Sequence, residues 1–255
     1  MVLDQPGVGA DLQNHPSWMM RVRTTGGSLA GLLSPLSGSA AALRWLLNGD
    51  GPLAEGPFQA AGYFGVDPAR RGSELQVIMA PALLLPAPPG RRPPLPHRHG
   101  ASFALQIGSP LSRGRVSLAA GGRLRIDTGT LADPRDLDLI AAGIATLQDM
   151  LARQAFRRHL ADDEALAPVP RARIPAEIGS AWHMAGTARM GRDGEAVTDP
   201  RLRLNGLGGL RIADASVMPV IPNAALHFPT MMIAARAAEF AIAEQRGSDH
   251  LSGRP

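Results

Sequence analysis

Two kinds of apolar periodicity occupy separate stretches of this chain, and that segregation constrains its fold more than any other feature. Between residues 76 and 126 the apolar side chains come in short runs. These are Gln76-Val-Ile-Met-Ala-Pro-Ala, Ser102 to Gly108, Ser112-Arg-Gly-Arg-Val-Ser-Leu and Arg123-Leu-Arg-Ile. Each has the length of a strand, and Ala119-Ala-Gly-Gly between the last two predicts a hairpin. From residue 133 the period changes. Leu137, Ile140, Ile144, Leu147 and Leu151 recur at spacings of 3, 4, 3 and 4, the stripe of one long helix. Asp133-Pro134-Arg135-Asp136 supplies its start: a capping carboxylate, a proline in the first turn and an acid three residues on. Arg153, Arg157, Arg158 and His159 suit the negative end of its dipole. Strands and helices in separate runs, rather than alternating βαβ units, predict an α+β fold on an antiparallel sheet. Ser28 to Ala42 reads as irregular, with a short helix over Ala40 to Leu47 and a turn at Gly49-Asp-Gly-Pro. Pro86 to His99 is too rich in proline and arginine for regular structure, and Ala161 to Pro175 reads as a connector.

The stretch from Ser180 to Arg246 has its own logic. Leu202 and Leu204 alternate with arginines, and Asn205-Gly206 follows, a pair that accommodates positive φ in a tight turn. Leu207 to Ala213 then predicts a second short strand, with Leu210 and Ile212 on one face, ending in Asp214-Ala215-Ser216. Small residues there would let a ligand approach the backbone. Pro229 falls where a helix would start, because the first N–H groups of a helix have no partner anyway. Met231 to Glu244 is almost wholly Ala, Met, Ile and Phe, which predicts a helix buried on most faces. A strand end followed closely by a helix N-terminus suits an anionic ligand.

Composition excludes several classes. At 45% hydrophobic and 19% charged residues the chain can bury a sizeable core. Its +4 formal charge reflects arginine use, with no basic run that reads as a nucleic-acid patch. Aromatic residues make up only 4%, leaving little for base stacking. Without cysteine there is neither a disulfide nor a thiolate metal site. His97 and His99 lack a third ligand nearby, so no metal is expected. No segment reaches about 18 uncharged apolar residues, so no membrane span is expected. Asp4, Pro6 and Gly7 interrupt any signal-peptide core, and the expected location is cytoplasmic.

Four blocks in the second half resemble the C-terminal signature of the glucose-methanol-choline (GMC) flavoprotein oxidoreductases. They are His183-Met-Ala-Gly-Thr-Ala-Arg-Met-Gly, Asp199-Pro-Arg-Leu-Arg-Leu, Leu210-Arg-Ile-Ala-Asp-Ala-Ser-Val-Met-Pro and Asn223-Ala-Ala-Leu-His-Phe-Pro-Thr. Ser112-Arg-Gly-Arg-Val-Ser-Leu and Asn48-Gly-Asp-Gly-Pro-Leu resemble two further family blocks. The opening Gln5-Pro-Gly-Val-Gly-Ala-Asp-Leu-Gln-Asn-His-Pro resembles a block that lies mid-chain in the family. No strand–GxGxxG–helix unit precedes it. The resemblance therefore implies the C-terminal half of such a protein.

The same resemblance implies a division of the chain and a set of roles. Residues 1–16 and 192–246 would belong to an incomplete FAD domain and lie together. Residues 17–191 would form the substrate-binding domain, and 247–255 a disordered tail. The cofactor would be FAD and the substrate a small alcohol. His183 would be the base that takes the hydroxyl proton. The family places Asn or His four residues before the proline of its last block, where this chain has Ala225, and His227 would fill that role from two residues later. Asp214 and Ala215 would contact the ribityl–phosphate region of the flavin, and Phe228, Pro229 and Thr230 its pyrimidine edge. Three readings stay open: the C-terminal part of an FAD-dependent alcohol oxidoreductase, a non-catalytic remnant, or an accessory subunit completed by a separate N-terminal half.

Overall fold

The structure, a computed structural model, describes residues 3–66, 74–87, 90–94 and 98–252. The strands are β1 (Pro16–Arg23), β2 (Ala60–Phe64), β3 (Leu75–Ala80), β4 (Gly100–Ile107), β5 (Arg115–Leu118), β6 (Leu124–Asp127) and β7 (Gly179–Ser180). The α-helices are α1 (Pro35–Asn48), α2 (Pro134–Ala152), α3 (Gln154–Arg157), α4 (Ile174–Glu177) and α5 (His227–Ser252). The chain forms two compact units. One contains Met1–Pro16, Gly108–Asp136 and Ser180–Pro255, the other Ser17–Ile107 and Leu137–Gly179.

The second unit is built on a five-stranded sheet of order β2-β3-β4-β1-β7, and β1, β3 and β4 pair antiparallel with Leu105 opposite both Trp18 and Val77. The α+β class and antiparallel sheet expected from the sequence are what forms. β1 alternates strictly: Trp18, Met20 and Val22 are buried, while the residues between them are not. The apolar stripe of α2 meets this sheet. Ile140, Ile144, Leu147 and Leu151 are each at most 2% exposed and join Leu75, Phe103, Leu105 and Ile107 in one core. Gly143 permits that closeness, since a Cβ there would lie 2.5 Å from Leu75 Cδ1.

In the first unit the N-terminal segment runs between two partners. On one side Leu12 and Gly114 exchange backbone hydrogen bonds at the root of the β5–β6 hairpin. On the other, Gln13 and Ala185 do the same. Gly9 (φ +80°) makes this passage possible, because a Cβ would sit 2.1 Å from the Val116 carbonyl oxygen. Asp136 in the first turn of α2 is 1% exposed, and its carboxylate accepts from the backbone N–H groups of Leu111 and Ser112. A second core gathers Ala185, Leu202, Val217, Met218, Ile221, Leu226, Ile233 and Ala237.

Four expectations need correction. The Leu202–Ala213 hairpin is reduced to isolated bridges, Thr198 with Leu204 and Arg203 with Arg211. Leu202 takes φ +67°, which no strand accommodates, and the Asp199 carboxylate holds the loop by accepting from the N–H groups of Arg201 and Arg203. α5 is not buried on most faces: Ile233 and Ala237 are covered, whereas Met231 and Met232 are 56% and 62% exposed. Apolar composition shows what a helix could bury, and this chain supplies a partner for one stripe only. α1 begins at Pro35 rather than near Ala40, because Ser34 caps it through the Ser37 N–H and proline suits its first position. α5 continues to Ser252, where a tail from 247 was expected, and residues 253–255 lie outside the described ones.

Candidate active site

Three consecutive polar residues, Gln13, Asn14 and His15, are all buried, at 0%, 7% and 2% exposure. Buried polar groups need partners, and each of these finds them on the 180–221 side of the same unit. Gln13 donates from Nε2 to the Pro219 carbonyl and accepts at Oε1 from the Ile221 N–H. Asn14 donates to Ser180 Oγ and accepts, at Oδ1, from the His183 N–H. Ser180 Oγ also accepts from the Trp182 N–H, and the His15 carbonyl from the Ala181 N–H. This lacing pulls the chain into the unusual positive φ of Trp182 (+62°). His183, the next residue, is thereby aimed.

His183 meets His15 ring to ring. Their Nδ1 atoms are 2.8 Å apart, and the rings stand edge to face at 87°. A contact of that length requires one nitrogen to donate and the other to accept, so a single proton bridges the pair and at most one ring carries a charge. Burial opposes that charge and favours two neutral rings. Desolvation, then the nearness of His183, pushes the pKa of His15 from 6.5 down to about 4. Desolvation also lowers that of the half-buried His183. The carbonyls of Gly108 and Pro222 act in the opposite sense, favouring a proton on His15, although neither closes a hydrogen bond on its Nε2.

The other face of His183 opens on a shallow depression of about 390 Å³, lined by Trp182, His183, Met184, Ala215, Ala225, Leu226, His227 and Thr230. Four of the seven residues singled out from sequence, His183, His227, Ala215 and Thr230, thus share one surface, as does Ala225. Asp214, Phe228 and Pro229 are not among its lining residues. The Asp214 carboxylate accepts from the Ser216 N–H and Oγ and so caps the short turn that presents Ala215. Phe228 is 78% exposed and lies edge-on to the His227 ring. Pro229 is the third residue of α5, still within the turn whose N–H groups lack intrahelical acceptors. Sequence reasoning passed over His15, Asn14 and Gln13. The signal was present as a polar triplet directly before the alternating run of β1, where a solvent-exposed loop is the ordinary reading.

Among the described residues there is no cluster of three metal-ligating side chains. His97 lies outside the described residues, and His99 Nδ1 is paired with Ser28 Oγ. No described helix is long and apolar enough to cross a membrane.

The GMC oxidoreductase profile matches residues 110–234. The chain is 28% identical to an alcohol dehydrogenase [acceptor] of Pseudomonas putida, covering 95% of this chain and 45% of that protein. It is 31% identical to an oxygen-dependent choline dehydrogenase of Paraburkholderia xenovorans, covering 94% and 44%. The fold matches formate oxidase of Aspergillus oryzae, in a form with a substitution bearing on FAD modification. There the TM-score is 0.80 at 20% identity, over 96% of this chain and 49% of that one. The chain spans about half the length of these relatives. Signature blocks, antiparallel architecture and these likenesses agree, and the chain belongs to the GMC oxidoreductase family, where it corresponds to the C-terminal part of longer members.

Proposed function

We propose that this chain forms the substrate side of an FAD-dependent oxidoreductase acting on CH–OH donors, with His183 as the base. The observation that carries the reading is the neutral His15–His183 pair beside an open, small-residue surface. The residues suit a flavin. Ala215 and Ala225 leave room for a flat ring, and the unpartnered N–H groups in the first turn of α5 suit its electron-rich pyrimidine edge. FAD, when bound, supplies a two-electron acceptor for the hydride leaving the alcohol carbon. The chain's own residues handle the proton. With the bridging proton on His183 Nδ1 and accepted by His15, the Nε2 lone pair of His183 is free to take the hydroxyl proton. Asn14 holds the backbone of His183, and burial of His15 prevents the pair from taking up a charge before substrate arrives. His227, on the same surface, is placed to hydrogen-bond the substrate oxygen. Residues 1–16 and 192–246 would contribute to the FAD domain, completed by the part of the longer relatives that this chain does not span.

Anaerobic stopped-flow reduction of the flavin, in protein assembled with an FAD-binding half, tests the reading. His183→Ala should slow reduction by about 10²–10⁴-fold with FAD retained, the usual contribution of a positioned base. His227→Ala should cost less. Wild-type reduction by His183→Ala, with loss in His227→Ala, would exchange the two roles.

A further inference from the structure

A second cavity lies in the other unit and shares no residue with the surface around His183. It has a volume of about 680 Å³, within the roughly 300–1,000 Å³ usual for small-molecule sites. Its walls come from β1, from residues 83–86 and from the 164–177 segment. Met19, Leu83, Leu85 and Val169 give it apolar surface. Three arginines also line it, and they are not equivalent. Arg23 is paired with Asp162, and Arg173 with Glu177. Arg21 has no such carboxylate. Its Nε donates to the Leu84 carbonyl, and among the described residues its terminal amino groups donate to nothing. Glu177 attracts it at a distance, but that carboxylate already accepts from Arg173 and from Trp18 Nε1.

Arg21 is exposed by area, yet desolvation is the main cause lowering its pKa. A group that solvent reaches but protein surrounds is one standing on the wall of a concave site. A guanidinium held by its Nε presents the remaining edge as a fixed fork, the geometry that pairs with a carboxylate.

We propose that this cavity binds an organic monocarboxylate with an apolar body, its carboxylate on Arg21 and its body against Met19, Leu83, Leu85 and Val169. The walls select within anions. One unpaired guanidinium matches one negative charge, and Glu164 and Glu177 in the lining oppose a doubly charged ligand such as phosphate. The site needs neither cofactor nor turnover, so its test stands apart from that on His183.

Isothermal titration of the 255-residue chain with sodium 4-phenylbutyrate tests it. Saturable one-to-one binding is expected, with 4-phenylbutyramide and inorganic phosphate each at least about tenfold weaker, since a charge-assisted fork is worth that much or more. Arg21→Met should weaken 4-phenylbutyrate by at least about tenfold, and Arg21→Lys should retain part of the affinity. Arg125→Met, which removes the same charge from exposed β6, should change nothing. Far-UV circular dichroism establishes that each variant is folded. No saturable binding to the wild-type chain would overturn the proposal. So would affinity unchanged in Arg21→Met, equal affinity for the amide, or tighter binding of phosphate.

Discussion

Acidification should destabilise the His15-containing unit above the range where carboxylates titrate, and replacing His15 should remove most of the effect. His15 has a pKa of about 4 in the folded chain against 6.5 unperturbed. Below 6.5 the unfolded chain takes up a proton that the folded chain refuses, so stability falls with pH until about 4, where both states are protonated. At 1.36 kcal/mol per tenfold step, that interval is worth about 3 kcal/mol. His183, lowered by the same cause, adds in the same direction. The carboxylates act in a different window. Hydrogen bonds from Arg135 hold Asp133 at about 2, and Arg189 holds Asp193 lower still, so their stabilisation is lost only below the ordinary carboxylate range. Urea denaturation at about pH 7, 5.5 and 4.5 separates the two. Wild type should lose most of the ~3 kcal/mol across that span, at constant m-value. His15→Gln, neutral throughout, should be less stable at neutral pH through loss of packing, but its pH slope should be shallower, keeping only the part that His183 contributes. A slope in His15→Gln equal to that of wild type would refute the neutral buried pair and, with it, the tautomer assigned to His183.

Asp136→Asn should cost about 1–3 kcal/mol, because its amide group would face backbone N–H donors that now share a carboxylate; denaturant midpoints report it. Gly186→Ala should destabilise by about 1–3 kcal/mol or more, since Gly186 has φ +90° and a Cβ would lie 2.5 Å from the Asp11 carbonyl oxygen. Loss of hydrogen-exchange protection at the Gln13 and Ala185 amides should accompany it. Ile140→Ala, at a position with no exposed surface, should cost about 2–5 kcal/mol by thermal or chemical unfolding.

The stripe from Leu137 to Leu151 and the hairpin across Ala119–Gly122 formed where periodicity placed them, because both are local. A helix stripe and a tight turn follow from neighbours a few residues apart. The 202–213 segment went differently: its alternation resembled a strand, yet Asp199 draws the backbone into a loop. Met231 to Glu244 had the composition of a core helix, but burial depends on what lies opposite, and here only Ile233 and Ala237 are buried. In the candidate site the same division holds. His183 was marked by the block around it, and Ala225 and His227 by their distance from Pro229. His15 carried no such mark, because its partner is 168 positions away in the chain. By itself the sequence determined the long helix α2, the β5–β6 hairpin, the antiparallel class and the family. Tertiary structure decided which polar groups are buried together, because desolvation and hydrogen bonding depend on distances that only the folded chain sets.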